Sequence, residues 1–335
     1  MIDSVVVTFP IPMHRSSRMS ALQFSRACGH NGVDCQHHPR WKRAPSEFGR
    51  ALPWIVWNKA PDRVDYLTIG VSLPKVLYGS NVEMLRTQSD IDRALYRISE
   101  YVSETAEARF DAKAANVIRV DFCHQWRLTP TQVCEYLRVV GSTSVSRMTR
   151  QLFDSATVQF SNKSQAVVFY DKLLEVLSRL RSGKATDQEV NAAVGVLRLE
   201  KRYLNYHACE RLASKMGLSN RRVETLFTVS VAESVMNQTI RQLGLDRHLE
   251  AGDIRLPRLI HAYGPRRALF LAGLLAACDS YGAENLVRLG ICKRSTFHKM
   301  RREIMQAGAW LVTDGKRSLR PLRIVEEQDI RAATA

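Results

Sequence analysis

The sequence lacks long apolar segments, and this absence argues against a membrane protein. No uninterrupted run in the 335-residue chain approaches the roughly 18 apolar residues that a membrane-spanning helix needs. The opening MIDSVVVTFPIP also lacks the charged segment and the long apolar segment of a secretory signal peptide. We therefore expect a cytoplasmic protein that has no membrane partner.

Cysteine is scarce and irregularly placed, which argues against a disulfide-stabilised protein. The chain has seven cysteines, an odd number, and it is long enough to form a core without disulfides. Cys28, His30, Cys35, His37 and His38 nevertheless lie close together in the loop-like stretch ACGHNGVDCQHHPRW. Their spacings are not those of a zinc finger or a zinc ribbon. The cluster is therefore either a zinc site or a group of ordinary loop residues.

Acidic residues are also few in comparison with basic ones. The chain has 33 Asp and Glu against 49 Lys and Arg, which gives a net charge of +16 and an isoelectric point of about 9.8. The excess is distributed along the whole chain. Such a charge favours a polyanionic partner, bound through phosphate contacts and counterion release. A basic but merely solvated surface is the alternative.

Hydrophobic periodicity predicts an α+β protein with two domains. Strands are expected at 5–9, within 54–76, and at 116–122, 157–161, 166–170 and 196–204; helices are expected at 89–110, 131–140, 173–180, from 186, and at 221–243, 265–278, 284–289 and 295–307. We predict a catalytic domain in residues 1–215, built from a mainly antiparallel sheet with flanking helices. Residues 216–335 are predicted to form a helical DNA-binding domain with a winged-helix-like end.

The stretch SATVQFSNKSQAVVFYDK, residues 155–172, predicts a β-hairpin that ends on a tyrosine. Tyr170 would stand at the end of the second strand, followed at once by Asp171 and Lys172. A phenol beside a carboxylate and an ammonium group suits nucleophilic attack on phosphorus, because the acid can hold a metal and the cation can stabilise charge. An ordinary half-buried strand tyrosine is the alternative.

Two further predicted strands carry acids beside arginines. Alternation in NVIRVDF (116–122) and VLRLEKRYL (196–204) places Asp121 with Arg119 on one polar face, and Glu200 with Arg198 and Arg202 on another. If the strands share a sheet, the two carboxylates can bind a hard ion such as Mg²⁺ or Mn²⁺. A solvated face with surface ion pairs is the alternative.

The carboxyl-terminal region predicts a basic helix-turn-helix followed by a hairpin. A short helix at 284–289, a turn and a second helix at 295–307 give this layout, and an Asp-Gly turn at 314–315 suggests a wing. The cations predicted to contact DNA are Lys299, Arg301, Arg302, Lys316 and Arg317. A helical bundle with a solvated basic edge is the alternative.

Several short motifs follow one another along the first two thirds of the chain. They are MIDSVVVTFP, SLPKVLYGSNV, V-x-R-V-D-F, F-S-N-K-S-x₄-F-Y-D-K and L-R-L-E-x-R. In this order they resemble the gene II/X replication initiators of filamentous phages, which look related to the rolling-circle initiators of the Rep_trans plasmid group. The resemblance implies a site-specific enzyme that nicks one strand at the origin of circular double-stranded DNA and later recloses it.

The resemblance also implies roles for individual residues. Tyr170 matches the nucleophile that becomes covalently attached to DNA, and Asp121 and Glu200 match the acids that bind the metal. Asp171 matches a position where relatives do not always keep an acid, so it is the weakest of the three metal ligands. The candidates for holding phosphate oxygens are Lys172, Arg198 and Arg202, and for the two arginines this rests on their position more than on the motif.

The implied partners are origin DNA, both double-stranded and single-stranded, and the host helicase and polymerase, since the freed 3′-hydroxyl would prime synthesis. The setting would be the cytoplasm of a bacterial host, and the oligomeric state is left open. Further DNA contacts are predicted at Lys75, in an expected loop, at Lys163, in the hairpin turn, and at Arg202.

Other classes of function explain less of the sequence. A non-catalytic, sequence-specific DNA-binding regulator would rely on the carboxyl-terminal module alone. Tyrosine recombinases also attack DNA with a tyrosine, but they use arginines and a histidine and no metal. The chain has no H-x-H pair on a strand, so it does not resemble the rolling-circle class that binds metal through two histidines. A phage structural protein would explain neither the acidic strands nor the basic surplus.

Overall fold

The computed structural model describes most of the chain. The described residues are 1–10, 53–58, 66–105, 109–153, 156–247, 249, 255–281, 283–309 and 318–324. The cluster from Cys28 to His38, the Asp-Gly turn and the cations Lys316 and Arg317 lie outside them. The zinc and wing predictions therefore remain predictions.

The described strands form one eight-stranded sheet. They are β1 (Ile2–Pro10), β2 (Trp54–Asn58), β3 (Tyr66–Ser72), β4 (Asn116–Arg127), β5 (Thr149–Phe153), β6 (Thr157–Ser161), β7 (Gln165–Asp171) and β8 (Val196–Tyr203). Their order in the sheet is β2-β3-β1-β4-β8-β7-β6-β5. The paired strands with a defined register are all antiparallel. The predicted α+β class with a mainly antiparallel sheet is confirmed.

Twelve helices accompany the sheet in the described residues. They are α1 (Leu73–Tyr78), α2 (Gln88–Thr105), α3 (Pro130–Gly141), α4 (Lys172–Arg181), α5 (Asp187–Ala193), α6 (Tyr206–Lys215), α7 (Val223–Leu226), α8 (Val229–Leu243), α9 (Arg255–Tyr263), α10 (Pro265–Tyr281), α11 (Ala283–Arg288) and α12 (Arg294–Gln306). Across the part of the chain that the structure covers, none of these helices has both the length and the hydropathy required to span a bilayer.

The chain divides into two compact units that interleave in sequence. The first unit contains 1–124, 163–165 and 201–235, and the second contains 125–162, 166–200 and 236–335. Strands β4 and β8 each contribute residues to both units, so no single cut in the chain separates them. The predicted functional division into 1–215 and 216–335 stays a prediction.

In the second unit, strands β6 and β7 form the predicted hairpin. Its register pairs Thr157 with Tyr170 and Ser161 with Ala166. The run of β-branched and aromatic residues in each strand favours extended backbone, and the polar segment between them favours a turn. The hairpin therefore brings Tyr170 to the strand end from which α4 begins.

Helix boundaries follow capping residues that the sequence contains. Thr129 caps α3 through a capping box with Gln132, and Pro130 occupies the first turn. Thr186 and Glu189 form the predicted capping box of α5. These side chains satisfy backbone N–H groups that would otherwise lack partners at a helix start.

One loop prediction and one helix prediction were wrong. The first part of the expected loop at 74–81 is helical, because it lies in α1. This helix has a proline in its first turn and is capped at its end by Gly79, which has a φ of 76°. The expected continuous helix at 221–243 is split into α7 and α8. At the break, Gln88 donates to the Phe227 carbonyl at 3.2 Å, and Thr228 accepts from the Val231 N–H at 3.2 Å. These contacts end one helix and cap the next.

The carboxyl-terminal helices have their own core within the second unit. Its large buried members include Leu259, Leu271, Leu275, Phe297, Met300 and Ile304. Helices α11 and α12 occupy the positions predicted for a helix-turn-helix. Leu319 forms an antiparallel bridge with Leu249, and the winged-helix-like end stays a prediction.

Candidate functional site

Tyr170 lies next to the last residue of β7, at the junction with α4. Asp171 ends the strand, and its side chain accepts a hydrogen bond from the Leu173 N–H at 2.9 Å, which caps α4. The Tyr170 side chain is 8% exposed and packs with Ala166 and Val168 on one face of the strand. The ring is therefore buried, and the position of its hydroxyl decides whether it has a chemical role.

The Tyr170 hydroxyl points to a carboxylate of the neighbouring strand. It donates a hydrogen bond of 2.7 Å to Glu200 Oε1, and Glu200 is only 3% exposed. A phenol hydrogen-bonded to a carboxylate has the geometry that proton transfer requires, since the heavy atoms lie within about 2.6–3.2 Å. This pair joins two of the residues that the sequence predicted to act together.

Arg198 compensates the charge of Glu200. Its side chain is fully buried, and its Nε lies 3.3 Å from Glu200 Oε1, the oxygen that Tyr170 contacts. Both residues lie on the same face of β8, because they are two positions apart. A buried carboxylate is costly unless a cation and hydrogen bonds accompany it, so the contacts of Arg198 and Tyr170 offset part of the cost of burying Glu200.

Lys172 provides a second buried cation near the tyrosine. Its Nζ lies 5.9 Å from the centroid of the Tyr170 ring, and it forms an ion pair of 2.8 Å with Glu175. The Lys172 side chain is fully buried. Nearby positive charge favours the anionic form of a phenol, whereas burial and a neighbouring carboxylate such as Glu200 oppose it.

Asp121 has a separate set of partners in the first unit. Arg119 contacts it with both ends of the guanidinium group, from Nε to Oδ1 at 3.2 Å and from a terminal nitrogen to Oδ2 at 2.9 Å. Arg202 Nε lies 4.0 Å from Oδ2. Asp121 is 4% exposed, whereas 40% of the Arg119 side chain is exposed. The carboxylate is thus held in place by two arginines.

The described residues do not form a ready metal site. Among them, no group of three or more His, Cys, Asp or Glu side chains gathers around one point. An oxygen of Glu200 and both oxygens of Asp121 contact hydrogen-bond donors or cations. Asp171 caps α4, and burial raises its pKa. The metal-ligand roles of these acids and the choice of Mg²⁺ or Mn²⁺ stay predictions.

The predicted DNA contacts have different surroundings. Lys163 is exposed in the hairpin turn, and Lys299 and Arg302 are exposed on α12. Arg301 is partly buried, donates to the Ser144 carbonyl at 3.3 Å, and has its pKa lowered by burial. Arg301 is therefore oriented by the protein interior, unlike its two neighbours, which face solvent. Lys75 lies in the last turn of α1.

Sequence reasoning missed the environment of Lys201. Its Nζ donates to Gln165 Oε1 at 2.7 Å and lies 5.4 Å from the ring centroid of Tyr203. Burial, with a smaller effect of Lys215, lowers the pKa of Lys201 to about 8. The alternating pattern of β8 placed Lys201 among the apolar residues of the strand, which was the signal that it would be buried.

Comparison with known proteins gives one informative result. No curated protein and no solved structure matches the chain. A family model described as the N-terminal part of the phage replication-associated gene II protein matches residues 1–233. This range is more than two thirds of the chain and includes the Tyr170, Glu200 and Asp121 positions described above. The chain therefore belongs to the family of phage replication-associated gene II proteins.

Proposed function

We propose that this protein starts rolling-circle replication by nicking one strand of the origin through a covalent bond to Tyr170. Membership of a phage replication-associated family supports a role in replication and binding to origin DNA. The observation that most directly supports the nicking step is the 2.7 Å hydrogen bond from the Tyr170 hydroxyl to Glu200. Arg198 and Lys172 add positive charge around this pair.

In the proposed reaction, the Tyr170 oxygen attacks the phosphorus of one backbone phosphodiester. The phenol proton passes to Glu200 as the bond between the Tyr170 oxygen and phosphorus forms. The bond from phosphorus to the 3′ oxygen breaks, and that oxygen takes up a proton from water to become a 3′-hydroxyl. The products are a phosphotyrosyl enzyme and a free primer end.

Reclosure is the same reaction run backwards. A 3′-hydroxyl gives its proton to water as it attacks the phosphotyrosine, and the new phosphodiester forms. The bond from phosphorus to the Tyr170 oxygen breaks, and that oxygen recovers a proton from Glu200. Because the covalent intermediate conserves the energy of the phosphodiester bond, no nucleotide cofactor is needed for joining.

The two basic groups have distinct proposed roles. The ordinary pKa of tyrosine, about 10, leaves the phenol mostly neutral at physiological pH, so a proton acceptor and positive charge both favour attack. Arg198 holds Glu200 in its ionised, accepting form, and Lys172 favours the developing phenolate. A requirement for Mg²⁺ or Mn²⁺, with Asp121, Glu200 and Asp171 as ligands, is a separate proposal based on the resemblance.

A non-catalytic DNA-binding regulator is the second candidate, and one observation favours it. The Tyr170 side chain is only 8% exposed, as expected for a tyrosine with a packing role. In this case Lys299 and Arg302, exposed on α12, would carry the function. Host helicase and polymerase are expected partners of the enzyme but not of a regulator.

A plasmid assay separates the two candidates. Supercoiled plasmid that carries the cognate origin is incubated with the protein and either Mg²⁺ or Mn²⁺, with and without EDTA, and open-circular DNA is measured. The nickase is expected to relax the plasmid only when the metal is present. No open-circular product with either metal would support the regulator, and equal nicking in EDTA would remove the metal proposal while retaining the nickase.

A further inference from the structure

An exposed tryptophan lies on the sheet of the first unit, beside a shallow groove. The groove has a volume of about 350 Å³, and its lining includes Trp54, Gly70, Lys75, Arg119 and Asp121. We call it the Trp54 groove. Neither the motifs of the sequence nor the reaction proposed above assigns a role to Trp54.

Strand register explains how the groove is built. Trp54 pairs with Gly70, Gly70 pairs with Val6, and Val6 pairs with Arg119, so the four residues form one row across β2, β3, β1 and β4. Residues directly opposite each other on neighbouring strands project from the same face of a sheet. The row therefore has a large aromatic side chain at one end, a guanidinium at the other and small side chains between them.

The neighbouring row also has small side chains, and it ends on the carboxylate that contacts Arg119. Ser72 pairs with Ser4, and Ser4 pairs with Asp121. Small side chains thus form the floor of the groove in both rows, and the larger groups stand at its sides. A floor of this kind allows a flat side chain to lie against the sheet.

The indole of Trp54 lies directly over Gly70. A Cβ at position 70 would overlap the indole ring, so only glycine allows the ring to approach the strand this closely. Trp54 is 40% exposed, so much of the ring remains accessible to solvent while its other side rests on the backbone. A rigid, accessible indole fixed in this way is a stacking platform for a flat partner.

Two basic side chains lie in the same groove as Trp54. Lys75 and Arg119 line the same groove, and the Arg119 guanidinium is oriented by its two contacts with Asp121. Positive groups near an exposed aromatic ring are the combination that binds single-stranded nucleic acid, since phosphates contact the cations and bases stack on the ring. The net charge of +16 is consistent with a polyanion.

The geometry points to a binding site for unpaired DNA in the Trp54 groove, where one base stacks on Trp54 and adjoining phosphates contact Lys75 and Arg119. This inference rests on the proposed function, because a nicking enzyme must hold an unpaired segment of the origin strand. Duplex DNA would not use the platform, since its bases are already stacked on one another.

The test compares two single strands that differ only in their bases. One is a fluorescein-labelled oligodeoxythymidylate of about 12 nucleotides, within the usual site sizes of such grooves. The other is an abasic strand with the same number of phosphates. Affinities are measured by fluorescence anisotropy with the full-length chain carrying Tyr170→Phe, so that cleavage does not affect the result.

Trp54→Ala is expected to weaken binding of the thymidylate strand about tenfold and to leave binding of the abasic strand unchanged. Trp54→Phe should retain most of the affinity for the thymidylate strand, because phenylalanine keeps an aromatic ring on which a base can stack. Tyr96→Ala, which removes another exposed aromatic side chain of the same unit, is the matched control and should alter neither affinity. Lys75→Ala should weaken binding of both strands by the same factor, because both strands have the phosphate that Lys75 would contact.

Two results would overturn the inference. One is unchanged thymidylate affinity in Trp54→Ala, and the other is an equal loss of affinity for both strands, which would indicate a structural defect or a backbone contact. Neither result depends on whether Tyr170 nicks DNA, and failure of nicking would leave the comparison of the two strands intact.

Discussion

Tyr170 and Glu200 share a buried hydrogen bond of 2.7 Å, in which the phenol donates to a carboxylate oxygen of the adjacent strand. Arg198 approaches that same oxygen at 3.3 Å. The contacts with Tyr170 and Arg198 offset part of the cost of burying the Glu200 carboxyl group, and they also place a proton acceptor against the proposed nucleophile. The structural and the chemical interpretations make different predictions about substitutions.

Glu200→Gln tests the role of Glu200 as proton acceptor. Glutamine can still accept the Tyr170 hydrogen bond, but it cannot take up the proton as a carboxylate does. We expect the rate of origin nicking to fall about 10²- to 10⁴-fold, with DNA affinity retained. The rate is measured as initial formation of open-circular plasmid at a temperature where both proteins are folded.

The matched control is Glu189→Gln, which removes a carboxylate from an ion pair with Arg179 in the same unit. It should nick at the rate of the unsubstituted protein. If Glu200→Gln nicked as fast as this control, the hydrogen bond would be structural and proton transfer to Glu200 would be rejected.

Arg198→Met tests the electrostatic balance of the site. The substitution leaves the buried Glu200 carboxyl group without its cation, and we expect the free energy of unfolding to fall by about 3–5 kcal/mol. Adding Glu200→Gln should recover most of this loss, because both charges are then absent and the Tyr170 hydroxyl keeps an acceptor. Urea denaturation of the single and double variants measures the effect, and a loss below about 1 kcal/mol in Arg198→Met would contradict it.

The lowered pKa of Lys201 should make the stability of the protein depend on pH. Its folded-state pKa of about 8 lies below the ordinary lysine value of about 10.4, so the unfolded chain binds more protons between these values. The cost of burying this ammonium is therefore fully present below pH 8 and decreases as pH rises toward about 10.4.

We expect the difference in free energy of unfolding, Lys201→Met minus the unsubstituted protein, to be larger at neutral pH than at higher pH. The difference in free energy of unfolding should narrow across that window. The measurement is urea denaturation of both proteins at several pH values. A difference that is constant with pH would show that Lys201 titrates normally in the folded protein.

Duplex binding by α12 is tested with Lys299→Ala and Arg302→Ala together. Both side chains are exposed on this helix, and if they contact phosphates their removal should reduce origin affinity. The slope of log affinity against log salt should fall in magnitude by about 2. The control is the pair Arg181→Ala and Lys184→Ala, which removes two exposed cations elsewhere in the same unit. Equal effects of the two pairs would reject a specific role for α12.

The strands near the site could be predicted from sequence, because their residues carry clear patterns. The β6–β7 hairpin combines β-branched strands with a polar turn, and NVIRVDF alternates strictly, so each element appears where expected. The beginning of α3 at Thr129-Pro130 was equally clear, since capping depends on residues close together in sequence. Local interactions of this kind are accessible without a structure.

Burial of charged residues could not be predicted from the same patterns. Alternation correctly placed Arg198 and Glu200 on one face of β8, but it indicated a polar face, whereas the structure buries both residues. β8 lies between β4 and β7 in the sheet, and the cover over a central strand depends on elements distant in sequence. The role of Asp171, unlike the burial of Arg198 and Glu200, could have been predicted. Asp171 directly precedes a predicted helix, and in the structure its side chain caps α4.

The Trp54 groove depends on strand register, which the sequence does not specify. Trp54 and Gly70 are separated by 15 intervening residues, and Val6 and Arg119 are far from both in the chain. Only the pairing of four strands brings these residues into one row. A sequence pattern within any one of the strands could not have revealed it.

The most direct test of the central proposal is mass spectrometry of the peptide that remains attached to origin DNA after cleavage. Trypsin should release SQAVVFYDK, residues 164–172, in which Tyr170 is the only tyrosine. We predict a nucleotide adduct on Tyr170 that Tyr170→Phe abolishes. Tyr136→Phe should keep it, although Tyr136 is also buried and donates a hydrogen bond, to the Arg320 carbonyl. An adduct on any other residue, or nicked DNA with no attached peptide, would contradict the proposal.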